Sequence, residues 1–383
     1  MWFILPFFID YIKYKIGWTD YNSIIKKICL DLVQYNILYV KCFQWFTNDN
    51  DNIELSNFFQ TFKDNVPYTE ADIDWVTIKS INLDNISEVP INSGTISLIF
   101  KGTCYGNPVV IKVLRKNIIL KVNQMFNHLT FLKHVVSYFY GNIEFPPKSY
   151  FIDQMDFRKE VENMEMFRCK FKKNKNIIIP KVYGEYTTLN ENVIVMDHLA
   201  SYKEKDQWTF EEHKIYNQIF TRFLVSSYFI KDIYHADLHR GNIIFMRHMD
   251  EYKIGLIDFG VIGFLTIENQ NFIYDLFDIL SKNDYRQLAN RFAEQYSALP
   301  EQIKNITNAF CTAFEKNKCT DMEQFRHVHL KLIFQVLRQF NLKIDDNMNT
   351  YLFSILSIIS TMRILTTPDE DNTLKNIFLK FKT

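Results

Sequence analysis

The sequence predicts an α+β chain in two lobes, a small β-rich lobe followed by a helical one, with a helical extension ahead of both. Three changes of texture predict it. From Asp20 to about Phe62 apolar residues recur at helical spacing, until Pro67 closes the segment. Between Ile78 and Leu114 the chain turns to short β-branched runs, and from Ser201 onward helical spacing returns and dominates. These changes divide the chain into residues 1–77, 78–200 and 201–383.

Taken in order, the first apolar run, MWFILPFFIDYIKYKIGW, is broken by Asp10 and falls short of the ~20 residues a spanning helix needs. It lacks a basic leader, a small-residue cleavage site and the Arg- and Ser-rich pattern of a transit peptide, so no cleaved targeting segment is expected. Two readings stand: burial, or an interfacial anchor made by Trp2, Phe3, Phe7 and Phe8. The extension IIKKICLDLVQYNILYVKCFQWF follows at helical spacing. TISLIFKG and NPVVIKVL then read as a strand pair around Tyr105, Gly106, Asn107 and Pro108. Residues 116–169 are helical with an interruption at GNIEFPPKS, and Phe157, Val161, Met164 and Phe167 lie near one helix face. IIIPKVYGEY and NVIVMDHLA supply two further strands, and the helical lobe is interrupted by strands around NIIF and YKIGLID. The apolar segment from Tyr351 carries Ser354, Ser357, Ser360 and Arg363, which suits a buried helix better than a membrane span.

Charge narrows the partners. The 44 basic residues balance 44 acidic ones, so no global field draws the chain to nucleic acid, and no nucleic-acid partner is expected. The six cysteines form no CxxC pair, which predicts free thiols in a reducing intracellular compartment.

The chemistry is concentrated in HADLHRGNIIF, residues 235–245, and GLIDFG, residues 255–260. Phosphoryl transfer from a triphosphate requires charge neutralisation, a bridging metal and an orienting group for the acceptor. Asp237 and Asn242 sit five positions apart on one loop, so one can face an acceptor while the other turns to a metal. Asp258 ends an apolar strand before Gly260 and can coordinate Mg²⁺ between phosphates. Alone, HADLHRGN could be a polar turn; DFG following it at kinase-like spacing argues for the site. Lys112, within VVIKVL, needs a partner or ligand because an uncompensated buried ammonium is costly. Glu160 and Glu162 are both candidates to pair with it, and both also fit a solvated helix face. His235 is expected to buttress the loop and His239 to meet phosphate or solvent, while His327 and His329 would not share a helix face. A strand block with an isolated lysine, then HxD, Asn and DFG in a helical block, is the two-lobed protein-kinase plan.

With these residues in place, the chain resembles the UbiB (AarF-type) atypical kinase-like family, a group linked to coenzyme Q. HADLHRGNIIF and GLIDFGVIGFL are similar to its catalytic and metal loops, with HAD in place of the HRD of ordinary kinases. PINSGTISLIFKG stands at its alanine-rich nucleotide loop and VVIKV at its strand lysine. QMDFRKEVEN stands at its ExD motif and the following glutamate and asparagine, which selects Glu160 as the partner of Lys112. YVKCFQ stands at its KxGQ extension, with FKDNVP after it. In the family this extension folds over the active site and is held by the ExD acid. Phe43 replaces the KxGQ glycine and Gln154 the first ExD acid, so a latch made here by Lys41, Gln44, Gln154 and Asp156 is altered on both sides. Asn92, Ser93, Gly94 and Thr95 replace alanines and serine in the nucleotide loop. Gly94 allows closer phosphate approach than alanine, which predicts a more kinase-like use of ATP.

The resemblance thus implies ATP and Mg²⁺ as cofactors and a membrane surface or lipid-bound enzyme as partner. Lys112 would fix the α/β-phosphates, Glu160 would hold Lys112, and Asn242 and Asp258 would carry the metal. Asp237 would orient the acceptor, and adenine would be received near Met196, Asp197 and His198. The alternatives are a small-molecule phosphotransferase of the aminoglycoside or choline kinase kind, against which KCFQ argues, and a nucleotide-binding pseudokinase scaffold.

Overall fold

A computed structural model describes residues 10, 12–41, 54, 58, 66–140, 148–203, 207–238, 240–282, 284–296, 300–316, 336, 339 and 340. The chain divides into two compact units, Met1–Lys159 with Val182–His198, and Glu160–Lys181 with Leu199–Thr383. The aromatic N-terminal run, the segment from Tyr351, Gln44, His239, His327, His329, Cys42 and Cys319 all lie outside the described residues. Within them, Cys29, Cys104, Cys169 and Cys311 are free thiols, and no helix is long and apolar enough to cross a membrane.

The first unit begins with α1 (Tyr21–Tyr35), whose N-cap Asp20 accepts the Ser23 N–H at 2.9 Å and whose inner face buries Ile24, Cys29 and Val33. Asn36 caps its end: the side-chain amide donates to Lys121 O at 2.7 Å and its oxygen accepts Leu38 N–H at 3.1 Å. After α2 (Trp75–Ser80) comes an antiparallel sheet of β1 (Asn92–Ser93), β2 (Ser97–Cys104), β3 (Asn107–Leu114) and β5 (Val193–Asp197), in the order β1-β2-β3-β5. Tyr105 and Gly106, both at positive φ, form the tight turn between β2 and β3, so Asn107 and Pro108 belong to the strand. Alternation then sorts β3 into two faces. Val109, Ile111 and Val113 join Leu98, Phe100, Val193 and Val195 in one apolar core, which leaves Lys112 on the other face. Helices α3 (Ile118–Tyr140), α4 (Lys148–Asp153) and α6 (Gly184–Leu189) complete the unit.

Helix α5 (Phe157–Phe171) starts in the first unit and supplies most of its length to the second. There, β4 (Ile177–Ile178), β8 (Glu251–Leu256) and β7 (Ile243–His248) form one sheet, with β4 parallel to β8 and β7 antiparallel to it. A second ribbon pairs β6 (Ile233–His235) with β9 (Ile262–Phe264). Helix α7 (Phe210–Phe229) opens with a capping box between Thr209 and Glu212, and α8 (Ile267–Ser281), α9 (Tyr285–Tyr296) and α10 (Pro300–Lys316) follow.

IIIPKVYGEY departs from the strand expected of it. Only Ile177 and Ile178 pair with β8, Val182 makes an isolated bridge to Met196, and Gly184 already begins α6. Pro180 has no N–H to donate, so a ladder cannot run through it.

Candidate active site

In the first unit, Lys112 pairs across β3 with Ile99 on one side and Ile194 on the other, so its backbone position is fixed by two ladders. The side chain is buried, and its ammonium lies 5.3 Å from the centroid of the Phe157 ring, whose π face suits a desolvated cation. Phe157 reaches this place because Asp156 caps α5, accepting Lys159 N–H at 3.1 Å. The acid foreseen as part of a latch therefore has a local task here. Gln154 is half-buried, and its Nε2 is buried with no hydrogen-bond partner among the described residues. Lys41 follows α1 in a short turn, its N–H on Leu38 O at 3.1 Å.

The nucleotide-loop candidates lie between β1 and β2. Gly94 donates its N–H to Ser97 O at 2.9 Å, and Thr95 is buried. A Cβ added to Gly94 would meet Ser97 O at 3.4 Å, an ordinary contact. The fold therefore does not require glycine there. Met196 is buried in β5, and His198 donates its N–H to Pro108 O at 3.1 Å. Burial first, and Lys101 second, hold the His198 imidazole below its usual pKa and so favour its neutral form. Beside it, the Tyr183 hydroxyl donates to Asp197 at 3.1 Å.

In the second unit four hydrogen bonds bind the catalytic-loop and DFG candidates together. Asn242, buried in a one-turn 3-10 segment, donates its side-chain amide to Asp237 O at 2.8 Å. Its own carbonyl accepts Ile257 N–H at 3.1 Å, which sets Asn242 beside the residue preceding Asp258. His235 accepts Asp237 N–H at Nδ1 (3.3 Å), leaving Nε2 as the donor to Ile257 O at 3.3 Å. The buttressing role expected of His235 is thus specific: one imidazole bridges both loops.

Asp258 stands at φ +60, in the left-handed region that costs a non-glycine residue roughly 1 kcal/mol or more and persists where surrounding contacts over-determine it. Here the contacts can be named. Phe259, fully buried, packs its ring 4.9 Å from Phe167 and 5.0 Å from His235, while Asn163 donates to Phe259 O at 2.9 Å. Glu160 lies one turn before Asn163 on α5 and is 1% exposed, whereas Glu162 is exposed. A Cβ on Gly260 would sit 3.8 Å from the Glu160 carboxylate and 3.4 Å from that of Asp258, so both acids converge on the DFG turn.

The donor set bears on the metal. Among the described residues no group of three or more His, Cys, Asp or Glu could hold an ion alone. One carboxylate with one amide is the set suited to Mg²⁺, which completes its octahedron with phosphate oxygens and water. Asn242 and Asp258 therefore fit a metal delivered with a nucleotide. Sequence reasoning assigned no role to Asn163 or Arg115. Asn163 was signalled by its i+3 spacing from Glu160, and Arg115 by a lone guanidinium at the end of an apolar strand.

The family model described as "ABC1 atypical kinase-like domain" matches residues 79–292, more than half of the chain, and the chain belongs to that family. A "Probable protein kinase UbiB" of Erwinia tasmaniensis is 23% identical over 283 residues, covering 69% of this chain and 51% of its own length. One of Shewanella woodyi is 27% identical over 288 residues, with the same two shares. The chain therefore spans about half the length of these relatives. A solved complex of Rv3197 with erythromycin from Mycobacterium tuberculosis aligns at a TM-score of 0.50 with 14% identity, over 77% of each chain, a likeness of fold. The fold is kinase-like, α+β, with a sheet-rich part and a helical part.

Proposed function

We propose that this member of the ABC1 atypical kinase-like family binds ATP with Mg²⁺ and transfers or hydrolyses its γ-phosphoryl group. The observation that carries the reading is the Asn242 carbonyl on Ile257 N–H, which gathers one amide and one carboxylate beside a DFG turn whose Asp258 is held at φ +60. Asn242 and Asp258 hold the metal, which neutralises charge on the phosphates. Asp237, whose backbone is pinned from both sides by His235 and Asn242, orients the acceptor hydroxyl or a water. Lys112 fixes the α/β-phosphates and Glu160 is its counter-charge. Gly94 and Thr95 cover the phosphates, and Met196 and His198 line the adenine position. In this reading residues 1–77 are the helical extension, 78–200 the nucleotide lobe and 201–383 the catalytic lobe.

The acceptor class is a lipid or a lipid-bound enzyme at a membrane surface, supported by the family resemblance, and the altered latch of Lys41, Gln44, Gln154 and Asp156 governs its access. The test is Mg²⁺-dependent phosphate release by the purified chain, with and without liposomes, beside Asp258→Asn. Turnover that vanishes in the variant and rises with liposomes is the expected result. Nucleotide binding without turnover under any condition would move the reading to a scaffold. Turnover on aminoglycoside or choline acceptors would move it to a small-molecule phosphotransferase.

A further inference from the structure

Arg115 directly follows β3 and is 1% exposed, one of the largest fully buried side chains among the described residues. A buried guanidinium is costly unless its donors are satisfied, and an ion pair alone rarely repays the desolvation. Asp72 supplies the counter-charge, 3.1 Å from Nη1, and is itself tied to Lys121 and to Thr69 N–H. Nη1 has that ion pair and no hydrogen bond among the described residues, while Nε and Nη2 are bonded elsewhere. Nε and Nη2 both reach Gly94 O, at 3.0 and 2.9 Å, and Nη2 also reaches Ser93 Oγ at 2.8 Å and Pro67 O at 3.1 Å. The Arg115 backbone N–H meets Ile96 O at 2.9 Å. One residue therefore grips the nucleotide loop at three points, Ser93, Gly94 and Ile96, on both sides of Thr95.

The grip has a direction. A trans peptide points its C=O and its N–H to opposite sides. With Gly94 O drawn onto the guanidinium, the N–H of Thr95 is turned away from Arg115 and fixed there. The N–H of Gly94 is already committed to Ser97 O. We propose that Arg115 is the positioning residue of the nucleotide loop: without touching the nucleotide, it fixes the Gly94–Thr95 peptide so that Thr95 N–H donates to a phosphate oxygen of a nucleoside di- or triphosphate. This rests on the nucleotide-binding reading above. Backbone amides on a pinned turn are a standard means of holding phosphate, and here the pin is a side chain outside the loop.

The test is titration of the 383-residue chain carrying Arg115→Lys with fluorescent ADP and ATP analogues in Mg²⁺, alongside turnover and thermal melts. Lysine keeps a charge near Asp72 but has no planar fork to hold Gly94 O twice. Nucleotide Kd should rise roughly tenfold or more, with saturated turnover changed only about threefold. The control is Thr77→Val in the same unit, which removes the part-buried hydroxyl bond to Asp74 and should leave Kd unchanged. An unchanged Kd in a folded Arg115→Lys protein overturns the proposal. So does an equal loss of affinity in Thr77→Val, which would make the effect one of general stability. If Arg115→Lys fails to fold, Ser93→Ala decides: a Kd raised about threefold supports the pin, and wild-type affinity overturns it. Failure of the unaltered chain to bind either nucleotide would instead overturn the nucleotide reading itself, and the role of Arg115 with it.

Discussion

Lys112 and Asp258 are held in place by opposite means. Lys112 is one rung in a ladder, with eight paired positions between β2 and β3 and five between β3 and β5. No single side chain sets where its backbone lies. Asp258 stands on a turn held by individual contacts: the His235 bridge, the Asn163 bond to Phe259 O and the Phe167–Phe259–His235 packing. Redundant backbone bonding tolerates substitution around a site residue, whereas point contacts concentrate the geometry in a few replaceable side chains. Substitutions near the DFG turn should therefore cost more function per unit of stability than substitutions along the ladder.

The largest effect is expected from Asp258→Asn, which keeps the shape of the side chain and removes its charge. Phosphate release should fall ~10²- to 10³-fold with the far-ultraviolet circular dichroism unchanged. Next comes Asn163→Ala. It strands a buried carbonyl, so urea melts should show a loss of about 1–3 kcal/mol. Turnover at saturating nucleotide, measured well below the melting transition, should fall by roughly tenfold because the DFG turn loses its hold. Equal turnover in a folded Asn163→Ala protein would break the comparison. Gly94→Ala should have a smaller effect and one confined to binding. The new methyl group fits at 3.4 Å from Ser97 O, so stability should stay within about 0.5 kcal/mol. Competition titrations should show ATP losing ground to ADP by a few-fold.

The smallest effect concerns Glu212, far along the chain from either site residue. Burial alone would raise its pKa, but the Lys203 ammonium and the capping bonds from Thr209 outweigh that and bring it from 4.5 to about 2. A carboxylate depressed on folding contributes stability that is present above its unfolded pKa and lost as pH falls through the folded one. Thermal melts should therefore show a loss between about pH 4.5 and about pH 2 that is shallower in Glu212→Gln. Turnover at neutral pH should be unaffected by the acid transition itself.

Legibility in the sequence followed the same division. The β2–β3 hairpin was readable because β-branched alternation and a Tyr-Gly turn are local signals. The burial difference between Glu160 and Glu162 follows from helical spacing relative to Phe157, Met164 and Phe167. What escaped notice depends on partners distant in sequence. β6 and β9 have three residues each, too few to show a period, and exist because they pair with one another. β4 is a strand only because β8 lies beside it, and the rest of IIIPKVYGEY yields to Pro180 and to the helix beginning at Gly184. HADLHRGN and DFG announced their residue types, while the Asn163 bond that helps hold the DFG turn and the Arg115 grip on the nucleotide loop are long-range contacts. Neither contact can be read from residue type alone, although Asn163 falls on the family's glutamate-and-asparagine segment.

The Tyr105–Gly106 turn closes the β2–β3 hairpin at its far end from the nucleotide loop. A Cβ on Gly106 would find nothing within 4 Å, and Tyr105 is 83% exposed. Behind this tip the ladder is complete before it reaches Lys112. The chain can thus be opened there without disturbing the register that seats its lysine, which makes this turn a natural splice point. A fluorophore, an affinity handle or an inserted domain would graft onto it most safely.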